Sequence, residues 1–361
     1  MARKLAFDHV LFATVLGLTG LGLVMVYSST ASMAPGSGVL ANRLFLKQCI
    51  AAVLGLMAMV VVMHVDHRKL KRQEVVYALV AGIVVLLIAV LFGPEINNSR
   101  RWLLLAGLSL QPSELAKLVA VLYVAYQIDR KPERIDEPAF LVPVVGITAL
   151  MGSLILAGHD LGTTAMLCLP VALLVFLAGL SLRWIFAGAL VALPLLTAAI
   201  VLQPYRLRRF LAFLDPEAER LGSGFQLLQS LIAVGSGGLF GLGPGNSVQK
   251  LHFLPSPHAD FIFSIVAEEL GLLGAGFFLG LFALLGWRGV RAGLHAPDAF
   301  GRYLAWGLTF LLVVQALIHI SVVLGLVPTT GVPLPFISHG GSSLVASLLA
   351  AGLILNVSQH A

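Results

Sequence analysis

Asp260 is the residue of this 361-residue chain best placed to do chemistry. It stands in Leu254-Pro255-Ser256-Pro257-His258-Ala259-Asp260-Phe261-Ile262-Phe263, where a long polar segment runs into a new apolar stretch. An ionised aspartate at the mouth of a cavity can accept a proton from a sugar hydroxyl, a general-base role worth about 10²–10⁴-fold. The plainer reading is a helix cap next to Phe261. Cations accompany it along the chain: Arg100 and Arg101, then Arg206, Arg208 and Arg209, then Lys250. Guanidinium forks match phosphate oxygens and hold their charge, so the cluster points to a phosphate or diphosphate ligand. Any one of them alone reads equally well as touching anionic lipid headgroups.

Other charges sit deeper. Gln111-Pro112-Ser113-Glu114 has the form of a helix start, and Lys117 follows Glu114 at i+3 on the same face. A charge at mid-membrane costs about 2.5–3.5 kcal/mol even on gentle insertion scales. Two such charges imply a cavity as well as a mutual ion pair. Were the helix to run back through Asp260, Glu268 would lie on its side and deeper, lining the same cavity. Glu269 would face away and satisfy a neighbouring helix. Asp160, in His159-Asp160-Leu161-Gly162-Thr163-Thr164, reads as a cap. Gln315 and His319, at i and i+4, suit a bond between helices as well as a ligand. The ten histidines show no metal-ligand spacing. The glycine-rich Ser236–Gly243 stretch lacks the strand and the Lys-Ser/Thr of a nucleotide loop. It reads as a bend that lets an amphipathic Phe225–Val234 segment lie in the membrane interface.

These residues need a scaffold, and the composition supplies one. With 58% hydrophobic and 11% charged residues, against about 25% charged in soluble domains, the chain reads as an all-α polytopic membrane protein. Apolar runs place about ten spans, near 8–30, 43–63, 73–92, 111–128, 139–157, 162–180, 185–203, 261–285, 301–324 and 341–357. One bundle, residues 1–361, is the simplest domain organisation. Arg3 and Lys4 precede the first run, and Ser32-Met33-Ala34 loosely imitates a cleavage site. The run is too long for a signal peptide and is read as a retained helix. Arg68, Lys69, Lys71, Arg72, Arg130, Lys131, Arg134, Arg183, Arg288 and Arg291 fall on the face of Arg3 and Lys4. The positive-inside rule then makes both termini cytoplasmic and the 204–260 segment, between spans seven and eight, a large outer loop. Cys49 and Cys168 lie within apolar runs as small buried hydrophobes.

Taken together, the motifs resemble the SEDS proteins of shape, elongation, division and sporulation, the FtsW/RodA/SpoVE family. The resemblance runs through Val26-Tyr27-Ser28-Ser29, Arg100-Arg101-Trp102, Gln111 to Lys117, Asp160-Leu161-Gly162-Thr163, Arg208-Arg209-Phe210 and Asp215-Pro216. It continues in Gln229-Ser230, Gly235-Ser236-Gly237-Gly238, His258 to Phe263 with Glu268-Glu269-Leu270-Gly271, and Pro333 to Ser338 with Gly340-Gly341-Ser342-Ser343. The Gly245-Asn246-Ser247 and Gln249-Lys250-Leu251 run looks closer to the FtsW and SpoVE branch than to RodA. Ala259, His159, His319 and His339 stand where this family usually has threonine, proline, asparagine and tyrosine, and Pro244 interrupts the glycine-rich turn.

The resemblance implies a ten-helix, inverting glycosyltransferase that polymerises lipid II into glycan outside the bacterial inner membrane, for division or cell shape. It implies a class B penicillin-binding protein as partner, with other divisome or elongasome membrane proteins, and no nucleic acid. The family's essential aspartate falls on Asp260. Glu114 and His258 are expected at the substrate, with Arg101, Lys117, Arg206, Arg208, Arg209 and Lys250 on its diphosphates. Glu268, Asp160, Ser342 and Ser343 are expected in support. No cofactor is evident, and a divalent cation at the diphosphate is left open. A precursor flippase and a non-catalytic divisome scaffold are the rival readings.

Overall fold

A computed structural model describes residues 7–31, 38–96, 99–105, 108–218, 222–251 and 253–360. Arg3, Lys4 and the Ser32-Met33-Ala34 stretch lie outside them. In lipid every backbone polar group needs an internal partner, which favours helices, and all ten expected segments are helical. The first are α1 (His9–Ala31), α2 (Gly38–His64), a single turn α3 (His67–Leu70) and α4 (Gln73–Leu91). A short antiparallel hairpin, β1 (Leu103–Leu105) and β2 (Leu108–Leu110), was not expected from sequence. Next come α5 (Pro112–Arg130), α6 (Pro138–Ala157), α7 (Leu161–Leu177) and α8 (Leu182–Val201). The 204–260 segment holds α9 (Pro204–Leu214) and α10 (Ser223–Ser236), the second covering the expected amphipathic stretch. Finally α11 (Ile262–Leu294), α12 (Ala299–Val323) and α13 (Gly341–Ser358) complete the bundle.

Eight of these helices are long and apolar enough to cross a membrane. Of the other two expected spans, α7 is 17 residues long and α5 carries Glu114, Lys117, Asp129 and Arg130. The protein is a helical, multi-pass membrane protein. Glu114 and Lys117 are buried as a pair, since nearly all of α5 from Pro112 to Ile128 packs among α4, α7 and α12, while Asp129 and Arg130 lie at the less buried end of the helix. By contrast α8 has no buried residue and leans chiefly on α9. Cys168 is exposed and Cys49 half-buried, correcting the expectation of two buried cysteines.

The two ends of the bundle differ in chemistry. The Asp8 amide donates to Ser358 Oγ (3.3 Å), and Asp8 pairs with Arg288 Nη2 (2.6 Å), so the start of α1 and the end of α13 meet. Arg68 with Asp298 (3.4 Å) and Lys71 with Asp129 (2.6 Å) lie at that end too. Asp260 lies at the other, where α13 begins.

One helix is broken. Gly271 in α11 adopts φ 66° and ψ −168°, a conformation that essentially only glycine reaches. The freed backbone groups are taken up by the glycine-rich bend that follows α10. Leu242 N and Gly243 N donate to Glu268 O and Glu269 O (both 3.0 Å), while Leu272 N and Leu273 N donate to Gly238 O (2.9 Å) and Leu239 O (3.2 Å). A Cβ at Gly241 would strike Glu269 O, and one at Gly271 would strike Gly241 N. Two glycines therefore face each other where the bend is spliced into the helix.

Candidate active site

Asp260 precedes α11 rather than lying on it, and backbone contacts between two loops hold it in place. His339 N donates to His258 O (2.8 Å), and Ser338 Oγ donates to Ala259 O (2.8 Å). Ser338 is in turn gripped by α2: Gln48 Nε2 donates to Ser338 O (3.2 Å), and Gly340 N donates to Gln48 Oε1 (3.1 Å). The rings of His258 and His339 meet edge to face, with centroids 5.5 Å apart. Asp260 itself makes no hydrogen bond or ion pair among the described residues. The neighbouring His258 feels its charge. A Cβ at Gly331, in the α12–α13 loop, would stand 3.8 Å from Asp260 Oδ2.

That loop carries the site toward the arginines. Gly162 at the start of α7 packs on it so tightly that a Cβ would lie 2.7 Å from Thr330 O. Asp160 caps α7 by accepting from Thr163 N (2.9 Å) and Thr163 Oγ1 (2.8 Å), and its Oδ2 is 3.5 Å from Arg101 Nη1. It is both cap and counter-ion. From α9, Arg209 Nη1 donates to Thr329 O (3.4 Å) and its guanidinium stacks 4.5 Å from the Tyr205 ring. Arg206 donates to Ala199 O (2.9 Å). Burial pulls its guanidinium below the ordinary arginine range, and the Asp160 charge partly restores it. Arg208 points outward, exposed and without a partner among the described residues.

Glu114 and Lys117 lie behind the same loop. Lys117 Nζ donates to Glu114 Oε1 (3.0 Å) and Gln315 Oε1 (2.7 Å), and Gln315 Nε2 donates to Pro333 O (2.8 Å). His319 Nδ1 bonds Val332 O (2.8 Å). Lys117, expected on a diphosphate, is only 3 % exposed and is taken up by Glu114 and Gln315, so the pair props the loop from within. Ser342 Oγ donates to Ser109 O (2.9 Å) and accepts from Gln111 N (3.0 Å), tying α13 to the hairpin and α5.

Two expected site residues gather elsewhere, beside Glu269. Lys250, expected on a diphosphate, is 6 % exposed and bonded to Glu269 Oε1 (2.7 Å), Gly245 O (2.7 Å) and Ser28 Oγ (3.1 Å). Glu268, expected to line the Asp260 cavity, accepts from Ser247 Oγ, Val248 N (3.0 Å) and Gln249 N (3.3 Å). The angular argument for Glu268 fails because Asp260 is not on the helix. Glu269 also accepts from Ser28 Oγ (2.7 Å) of α1.

Unmet polar groups mark the surroundings of Asp260. His258 Nδ1, His339 Nδ1, His319 Nε2, Thr330 Oγ1 and Ser343 Oγ are buried with no hydrogen-bond partner among the described residues. Each such group costs about 1–3 kcal/mol, and a polar ligand would satisfy them. Burial lowers the His258 imidazole from its usual range, with Asp260 pulling it back. Burial, with the neighbouring His258 and Lys47, pushes His339 down to about 4. Sequence reasoning passed over Gln48, whose side chain holds the backbone of Ser338 and Gly340, and Thr329 and Thr330, which take part through their carbonyls. No three His, Cys, Asp or Glu among the described residues could hold a metal ion.

The FtsW/RodA/SpoVE cell cycle protein model matches residues 8–361. A probable peptidoglycan glycosyltransferase FtsW of Trichlorobacter lovleyi is 39% identical over 99% of this chain and 94% of its own length. Stage V sporulation protein E of Bacillus subtilis is 38% identical over 99% and 98%. A chain from a solved peptidoglycan synthase complex that coordinates polymerization and crosslinking superposes with a TM-score of 0.79. It is 34% identical, and the match covers 98% of each chain. The chain belongs to the FtsW/RodA/SpoVE family of cell cycle proteins.

Proposed function

We propose that this chain is a peptidoglycan glycosyltransferase that polymerises lipid II into glycan strands, with Asp260 as its general base. The acceptor's sugar 4-hydroxyl gives its proton to Asp260 as its oxygen attacks the anomeric carbon of the donor. The bond from that carbon to the diphosphate breaks, and inversion turns an α-linked donor into a β-linked chain. Arg101, Arg206 and Arg209 stabilise the departing lipid diphosphate, whose charge grows in the transition state. Arg208 guides the anion from outside. Glu114 and Lys117 act from beneath through Gln315 and the α12–α13 loop. Asp160 orients Arg101, Ser342 fixes α13, and His258 and Ser343 bond the sugars.

The observation that carries this reading is an unpaired carboxylate between unmet polar groups and an arginine-bearing flank. By the positive-inside rule the termini face the cytoplasm, and Asp260 works at the outer face of the bacterial inner membrane. The chain acts as one integral-membrane unit. Its partners are a class B penicillin-binding protein that cross-links the strands, and other membrane proteins of division or elongation. Purified Asp260→Asn protein with its partner is expected to make no glycan from lipid II while keeping its thermal stability. Polymerisation at the wild-type rate would remove Asp260 from the mechanism.

A further inference from the structure

The buried charges at the break in α11 have no part in the displacement just described. Lys250 Nζ is surrounded by three oxygens from three parts of the chain: Ser28 on α1, Gly245 in the glycine-rich bend, and Glu269 on α11. The ammonium sits there as a tethered cation would. One residue earlier on the helix, Glu268 gathers the hydroxyl of Ser247 and the amides of Val248 and Gln249. The two carboxylates thus seize both sides of one strand of chain, 247–250. Because α11 begins at Ile262, the stretch from Ser247 to Glu268 becomes a closed loop fastened at its base.

Asp260 lies on that loop. Between its base and α11 the described residues bond along the backbone through Leu251 N to Val248 O (3.0 Å), Leu254 N to Gln249 O (2.9 Å) and Ala259 N to Ser256 O (3.1 Å). Leu254 and Phe261 are its buried apolar pegs. The far side is held by Ser338 and His339, as described. The position of Asp260 therefore depends on two fasteners, the ionic one at the base and the backbone one at the rim. Only the first is built of titratable groups, and its charges are buried.

We propose that Lys250, Glu269 and Glu268 are positioning residues for Asp260: their clasp at the broken helix fixes the loop that presents the general base. This rests on the reading of Asp260 given above. A buried charge stripped of its partner is costly, whereas removal of both charges is far milder. The loss on removing the clasp should therefore fall on turnover and be shared between the two partners.

The test uses the full chain with its class B partner and measures lipid II polymerisation for Lys250→Met, Glu269→Gln and the double variant. Each single change is expected to lower kcat about tenfold or more while KM stays within about twofold, since geometry at the reacting atoms is what shifts. The double variant should be no slower than the worse single one. A raised KM with unchanged kcat would make Lys250 a substrate ligand and overturn the proposal. So would losses that multiply in the double variant, or wild-type kinetics throughout. Should Lys250→Met fail to fold, Ser28→Ala and Ser247→Ala trim the clasp by a hydroxyl each, with kcat expected to fall two- to fivefold at constant KM. Unchanged kcat in both would equally overturn it. Asp260→Asn run alongside separates the two ideas: its inactivity beside a fully active Lys250→Met sinks only the clasp, and its full activity sinks the general base.

Discussion

Replacing Gly271 by alanine should undo the splice between the glycine-rich bend and α11. The backbone there has φ 66° and ψ −168°, and holding a residue with a Cβ in such a region costs about 1–3 kcal/mol. The added methyl also meets Gly241 N and Leu239 O, so the two chains must part. Parting breaks four backbone hydrogen bonds, those of Leu242, Gly243, Leu272 and Leu273. At about 0.5–1.5 kcal/mol each they bring the loss to several kcal/mol, a large share of a typical stability of about 5–15 kcal/mol. The same exchange at Gly276 meets nothing within 4 Å, and alanine there gains about 1 kcal/mol of helix propensity. Thermal unfolding in detergent should place Gly271→Ala on the order of ten degrees below Gly276→Ala. Trypsin should also cut the Gly271 variant quickly at Lys250, which the clasp otherwise buries. Two melting temperatures within about two degrees, with equal resistance at Lys250, would refute the reasoning.

Further outcomes follow from the same contacts. Lys117→Met leaves Glu114 buried without its partner, at a cost of about 3–5 kcal/mol; pairing it with Glu114→Gln should recover most of that in a double-mutant cycle by thermal unfolding. His339 takes a proton at about 4 when folded against 6.5 when unfolded, so the unfolded chain binds more protons between these values. Stability should therefore fall as pH drops from about 6.5 towards 4, and His339→Phe should show less of that fall between pH 7.5 and pH 5. Arg206→Ala and Arg101→Ala should slow lipid II polymerisation more than Arg208→Ala, because only the first two sit beside Asp160; equal effects would place the anion on the outer surface of α9.

Asp260 was legible because a carboxylate at the boundary of an apolar run is costly, and cost is visible in sequence. The same logic found Glu114 with Lys117, whereas the pairing of Arg101 with Asp160, which reads as a cap in the sequence, is visible only in the structure. It failed for Lys250, whose true partner lies nineteen positions later across a break that no periodicity reveals. Gly271 sits among other helix glycines, Gly274, Gly276 and Gly280, and nothing in the residue types says which one opens the helix. Gln48 was missed because it holds a carbonyl and an amide, and backbone partners leave no side-chain pattern. The ten helical segments were readable from apolar run length, since lipid dictates that length. The hairpin was not, being too short to alternate.

The seam between Ala259 and Ser338 joins positions 79 residues apart, and the groups it unites are drawn from most of the polypeptide. A chain still emerging from the ribosome therefore carries its aspartate across long before the closing loop exists to seat it. The seat of that aspartate is complete only once Ser338 and His339 have followed it, so a chain stopping short of them lacks the contacts that hold it.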